Sequence, residues 1–209
     1  MKIAVVCANG KAGKLIVSEA LARGMEVTAV VRGENRSAAK QVLVKDVFAL
    51  TRDDLAGYDA VVDAFGAWTP ETIGGIPRAV KHLCGLLGGT DTRLVVVGGA
   101  GSLYVDAAHT ATVADGKDFP DAFKPLAAAH DEALRYLRSV QDVKWTYISP
   151  AADFQADGAR TGSYTLGGEE LVLNARGDSV ISYADYAIAL VDELERGAHV
   201  GMRTSVVGK

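Results

Sequence analysis

Short apolar runs recur along the chain with helix-patterned stretches between them: KIAVV, EVTAVV, QVLVKD, DAVVDAF, RLVVVGG, KWTYIS and a terminal RTSVV. They are rich in Val and Ile and often apolar at consecutive positions, which is the pattern of strands covered on both faces of a parallel sheet. Between the first two, KLIVSEALARG is apolar at Leu15, Ile16, Ala20 and Leu21 and closes on Gly24, so it reads as a helix with a glycine stop. The repeat is βαβαβ. It predicts an α/β fold built on a doubly wound parallel sheet, Rossmann-like, with ligands bound beyond the C-terminal ends of the strands.

At 209 residues the chain is expected to form one nucleotide-binding domain over 1–209. From Ala151 to Ser179 the pattern changes, with two short strand candidates around Gly167 and Gly168 and a further Gly177. Residues 151–180 therefore read as a small hairpin insertion on the substrate side. After it, SYADYAIALVDELERG opens with Ser182 and Asp185 in a spacing like that of a capping box. It carries Ile188, Val191 and Leu194 on one face, the signature of a late helix packed on the sheet.

Composition removes several classes of function. Twenty-two Lys and Arg stand against 26 Asp and Glu, a net charge of -4, so no basic surface is expected to attract nucleic acid. The two cysteines, Cys7 and Cys84, have neither Cys-x-x-Cys nor His/Cys spacing, which argues against a disulfide framework and a metal site and for a reducing cytoplasm. The N-terminal apolar run stops at Ala8, too short for a signal peptide, and no later run reaches the ~18 residues of a membrane span.

The first strand enters CANGKAG and then the first helix. A glycine turn in that position lets backbone N–H groups and the helix N-terminus face a pyrophosphate, with Gly10 giving close backbone approach and Gly13 close helix packing. An ordinary strand-to-helix turn is the other reading, and Cys7 stands where the first glycine of such a loop would be. Lys11 and Lys14 either neutralise phosphate or are solvated. The second strand ends VVRGENR, about 20 residues on, where an NAD-binding chain would place Asp or Glu on the ribose 2′-hydroxyl. Arg32 stands there instead. It either pairs with a 2′-phosphate, favouring NADPH over NADH, or is a solvated arginine at a strand end.

The stretches CANGKAG, VVRG, KDVF, VVDAFG, VVVGGAGSL, WTYISPAADF, GARTGSYTLGG and SVISYADYAIALVDELE resemble the atypical short-chain dehydrogenase/reductase family, in the NAD(P)H-flavin reductase group related to NmrA-like and biliverdin-reductase-B-like proteins. The resemblance runs nearly end to end. It implies that Asn9, Gly10, Lys11, Ala12 and Gly13 hold the pyrophosphate, with Arg32 near the adenosine phosphate. It further implies Asp46 and Val47 at the adenine, Ala64, Phe65 and Gly66 at the ribose, and Gly98, Gly99, Pro150 and Ala151 on the nicotinamide side.

Typical members of the wider superfamily use Tyr-x-x-x-Lys on a helix, yet none of the seven tyrosines here has lysine four residues later. Aligning Glu132 with a glutamate common in related proteins puts Lys124 and Ala128 in the two slots, and the superfamily serine falls on Ala100. General acid–base help is worth roughly 10²- to 10⁴-fold, so alcohols and sugar nucleotides are poor substrates for such a site. A flavin or a quinone spreads the arriving charge through its ring and asks less of the protein.

The candidate catalytic residues are Ser102, equally a turn residue, and His130, which shares a helix face with Leu126, Ala133, Leu134 and Leu137 and is either a proton donor or a structural histidine. Trp68 and Phe154 are placed to stack on a planar substrate or to pack their loops. The expected function is that of an NADPH-dependent reductase of FMN, riboflavin or a quinone, acting as a monomer or homodimer. The alternative is a non-catalytic NADP(H)-binding redox sensor of the NmrA-like type.

Overall fold

The computed structural model describes residues 1–209. In chain order the elements are β1 (Lys2–Val6), α1 (Lys11–Ala22), β2 (Glu26–Val31), β3 (Gln41–Val44), β4 (Ala60–Asp63), the single turn α2 (Pro70–Ile73) and α3 (Gly75–Leu87). They continue with β5 (Arg93–Val97), α4 (Lys124–Ser139), β6 (Lys144–Ser149), β7 (Asp153–Gln155), β8 (Tyr164–Gly167), β9 (Val180–Ser182), α5 (Tyr183–Arg196) and β10 (Met202–Gly208). Each apolar run of the sequence is a strand.

The main sheet has the order β3-β2-β1-β4-β5-β6-β10-β8. All neighbours are parallel except β8, which runs against β10. Successive residues of a strand face opposite sides, so Ile3 and Val5 enter one core while Ala4 and Val6 enter the other. The first core, 25 buried residues, lies under α1 and α5; the second, 23 residues, lies under α3 and α4. Two cores of nearly equal size leave neither face bare, which is why the strands read as unbroken apolar runs.

From β1 the chain winds outward through β2 and β3, then crosses back to β4 on the other side of β1. That reversal opens a crevice above Val6 and Asp63, adjacent partners in the register of β1 and β4. Helix α5 is capped as its sequence suggests, the Ser182 hydroxyl accepting from the Asp185 N–H at 3.0 Å.

The hairpin expected over 151–180 does not form. β8 pairs with β10 instead, Leu166 opposite Val206, while β7 and β9 pair in parallel as a separate two-stranded sheet. The would-be second strand is diverted to the loop after β5, the Leu171 N–H donating to the Tyr104 carbonyl at 2.8 Å. The physical reason is the edge of the main sheet: without β8, β10 would expose a row of unpaired N–H and C=O groups. Gly167 permits the arrangement, because a Cβ there would lie 2.2 Å from Val172 Cγ2.

Candidate functional site

At the mouth of the crevice, the turn from β1 into α1 places Cys7 at φ 58°, the left-handed region that favours glycine. The position has the backbone of a glycine loop, and a cysteine tolerates it at a cost of about 1 kcal/mol. The Cys7 carbonyl accepts from the Gly10 N–H at 2.9 Å, folding the turn back on itself. A Cβ on Gly13 would stand 2.6 Å from the same carbonyl, so only glycine lets α1 approach the loop this closely.

Gly10 caps α1 without a side-chain hydrogen bond, and the first turn carries no acidic residue. The N–H groups of Lys11, Ala12 and Gly13 find no acceptor in the chain. Three free donors at a positive helix end form a cradle for an anion, which fits a dinucleotide's pyrophosphate. Asn9 serves differently from its neighbours. Its side chain clips the turn to the loop after β2, donating to the Glu34 carbonyl at 2.8 Å and accepting from the Arg36 N–H at 2.6 Å. Lys11 reaches only the exposed Asp157, at 3.9 Å.

Arg32 follows β2 directly, exposed and without a carboxylate partner, and Arg36 is in the same state. Arg36 stands four residues on in RGENR, where no spacing in the sequence marks it. Asp46 accepts from the Phe48 N–H at 2.9 Å to start a single turn in which Val47 is buried. Beyond it the Phe48 ring meets Phe65 edge-on at 6.0 Å and carries the Arg78 guanidinium at 4.6 Å. Ala64, Phe65 and Gly66 leave β4 at the same edge, the Ala64 N–H donating to the Val6 carbonyl at 3.3 Å.

Asp63, at the end of β4, escaped the sequence reading because a lone carboxylate at a strand end looks solvated. It is 3% exposed, accepts only from the Phe65 N–H at 3.0 Å and has no cation beside it. Burial pushes its carboxyl up to about 7, against the opposing pull of that hydrogen bond. Burial, reinforced by the Asp63 charge, also pushes the Cys7 thiol up to about 12, and Cys84 is raised to about 12 for the same reasons. Neither thiol is a nucleophile at neutral pH.

On the far side of the crevice, Gly98 and Gly99 follow β5 under close packing. A Cβ on Gly98 would lie 2.4 Å from the Tyr147 ring, and one on Gly99 would lie 2.8 Å from His130 Cγ. The Gly99 N–H donates to the Tyr147 hydroxyl at 3.0 Å, which in turn lies 3.2 Å from His130 Nδ1. Burial depresses His130 to about 4 and raises the Tyr147 phenol, so both are neutral across the physiological range. Pro150 and Ala151 are buried where β6 ends.

Ser102 is held by Arg203 of β10, whose guanidinium donates to its hydroxyl at 3.0 Å and its carbonyl at 2.9 Å. Phe154 packs on Tyr183 and Tyr186, ring centroids 3.9 and 4.8 Å away. Trp68, by contrast, stands 67% exposed past β4. No group of three His, Cys, Asp or Glu side chains is arranged to hold a metal ion, and no helix is long and apolar enough to cross a membrane.

A doubly wound sheet with an uncapped helix end at its switch point defines a nucleotide-binding Rossmann protein. Residues 7–196 match the NAD(P)H-binding family, and the chain belongs to that family. It is 45% identical over 211 residues to the uncharacterized protein YwnB of Bacillus subtilis, covering 100% of this chain and 99% of that one. A crystal structure from Streptococcus pneumoniae, described as "a putative NADH-flavin reductase", shares 54% identity with a TM-score of 0.98, covering 100% of both chains. A Lactobacillus casei protein of known structure shares 34% identity with a TM-score of 0.89, covering 100% of this chain and 99% of its own. These likenesses support a nucleotide-dependent oxidoreductase.

Proposed function

We propose that the protein is an NADPH-dependent reductase that passes hydride to a flavin such as FMN or riboflavin, or to another planar acceptor such as a quinone. The observation that carries this reading is the pairing of two halves of one cleft. One half is an anion cradle at the start of α1, beside two unpaired arginines. The other carries a neutral imidazole and a buried phenol.

The bound cofactor would supply the hydride. Around it, Lys11 to Gly13 would bind the pyrophosphate through their free backbone N–H groups, with Gly10 letting it approach the backbone and Asn9 holding that turn against the loop after β2. Arg32, aided by Arg36, would meet a 2′-phosphate, and Asp46, Val47 and Ala64 to Gly66 would border the adenosine. Gly98, Gly99, Pro150 and Ala151 would line the nicotinamide, with His130 beside it. Trp68 is the free aromatic ring available to stack on the acceptor, since Phe154 is engaged in packing. Two unpaired cysteines support a reducing, cytoplasmic setting.

One charge-assisted contact is worth about 1.5–3 kcal/mol, or roughly ten- to a hundredfold in affinity. Calorimetric titration should therefore show NADPH binding tighter than NADH by that factor, with the difference largely lost in Arg32→Ala. Equal affinities for the two cofactors would remove the 2′-phosphate assignment. A sensor reading, in which NADP(H) is bound and not consumed, is favoured by one observation: the Ser102 hydroxyl is already committed to Arg203. Turnover separates the two.

A further inference from the structure

Tyr147 brings a hydroxyl to a place where a phenylalanine ring would pack equally well. The residue is 0% exposed, and a buried hydroxyl without partners costs about 1–3 kcal/mol, so its hydrogen bonds matter. It accepts from the Gly99 N–H at 3.0 Å and has one proton to give. Two acceptors compete for that proton, His130 Nδ1 at 3.2 Å and the His130 carbonyl at 3.3 Å.

The carbonyl lies inside α4, where the helical ladder already supplies it with an N–H four residues on. The ring nitrogen has no other partner and is the more basic acceptor. The proton therefore goes to Nδ1. A neutral imidazole that accepts at Nδ1 carries its own hydrogen on Nε2. His130 Nε2 has no partner in the chain and is not sealed from solvent, while the ring's contact with Gly99 limits its rotation.

We propose that Tyr147 is a positioning residue that holds His130 in the Nε2–H form, so that the histidine presents a fixed N–H donor to the cleft. That the donor meets an acceptor carbonyl beside the nicotinamide rests on the reductase reading; the tautomer itself does not. In that reaction the bound cofactor would supply a hydride, giving up a C–H bond and its electron pair to a new bond on the acceptor ring. Negative charge would grow on the acceptor's conjugated oxygen, and the balancing proton would come from water. An Nε2–H group strengthens its hydrogen bond to that oxygen as charge develops and keeps its own proton, because burial holds the imidazole neutral. Tyr147 thus supports the substrate donor without being one, unlike the tyrosine of Tyr-x-x-x-Lys.

The test is ¹⁵N NMR of the histidine-labelled protein at neutral pH, with His130 assigned by the signals missing from His130→Asn. The expected result is a protonated Nε2 and a bare Nδ1 in the wild type, and a mixture of both tautomers in Tyr147→Phe. In turnover, Tyr147→Phe should lower kcat about tenfold with the KM for the acceptor nearly unchanged. An Nδ1–H tautomer in the wild type overturns the proposal, and so does a Tyr147→Phe protein that keeps the wild-type tautomer. The wild-type spectrum decides even if the variant does not fold. It is recorded without cofactor or acceptor, so an Nε2–H histidine in a protein that does not consume NADPH contradicts the reductase reading alone.

Discussion

Asp63 is the residue whose environment departs furthest from what its type prefers. Its carboxyl titrates near 7 when folded and near 4 when unfolded, so both states hold the proton at low pH. Between those values only the unfolded chain ionises, which lowers the stability of the fold as pH rises; above about 7 the full penalty is present. Asn has the shape of the protonated acid and no charge to desolvate. Asp63→Asn should therefore raise stability by about 2–4 kcal/mol at pH 8 and by no more than about 1 kcal/mol at pH 4.5, as read from thermal unfolding at the two values. An equal gain at both pH values would mean that the carboxyl is not held protonated. His130 has the opposite sign: its folded value near 4 means that its contribution is lost as pH falls below about 6.5. Comparing variant with wild type at each pH isolates Asp63 from that second titration.

At the level of the elements, what could be read from the sequence was what is local. β1, β2, β4 to β6 and β10 announced themselves because each is covered on both faces, the exposed edge strand β3 did so only through its run of Val42, Leu43 and Val44, and the start of α5 announced itself through Ser182 and Asp185. The turn at CANGKAG was legible as a loop, and the backbone of Cys7 explains why a glycine is usual there. What the sequence hid depends on partners far along the chain. β8 is set by pairing with β10 some forty residues later, Ser102 by Arg203, and the roles of Gly98 and Gly99 by rings on β6 and α4. No periodicity within a short window carries such information. The edge pairing itself is open to test through Gly167, where a methyl group would meet both Val172 and the Ser205 hydroxyl. Gly167→Ala should cost about 1–3 kcal/mol by forcing the two segments apart. Hydrogen exchange should then show the β8 and β10 amides opening while β1 and β4 stay protected. Unchanged exchange at Leu166 and Val206 would show that the crossing is loose.

Across the whole molecule, parallel strands bring every candidate group to one edge of the sheet, from the cradle at Gly10–Gly13 to His130 and Tyr147. In the proposed reductase this arrangement would supply binding and orientation in quantity and proton transfer hardly at all. Effective molarities of well-oriented partners are worth about 7–11 kcal/mol, enough to drive hydride transfer to an acceptor that stabilises its own charge. They do not replace a general acid for a high-pKa alkoxide. The most direct test follows NADPH absorbance with purified protein and free FMN, riboflavin or a quinone, beside a simple ketone and a sugar nucleotide. The expected result is protein-dependent oxidation of NADPH with at least one planar acceptor and none above background with the ketone or the sugar nucleotide. NADPH that binds tightly yet is consumed with no planar acceptor would contradict it and leave the protein a sensor of NADP(H).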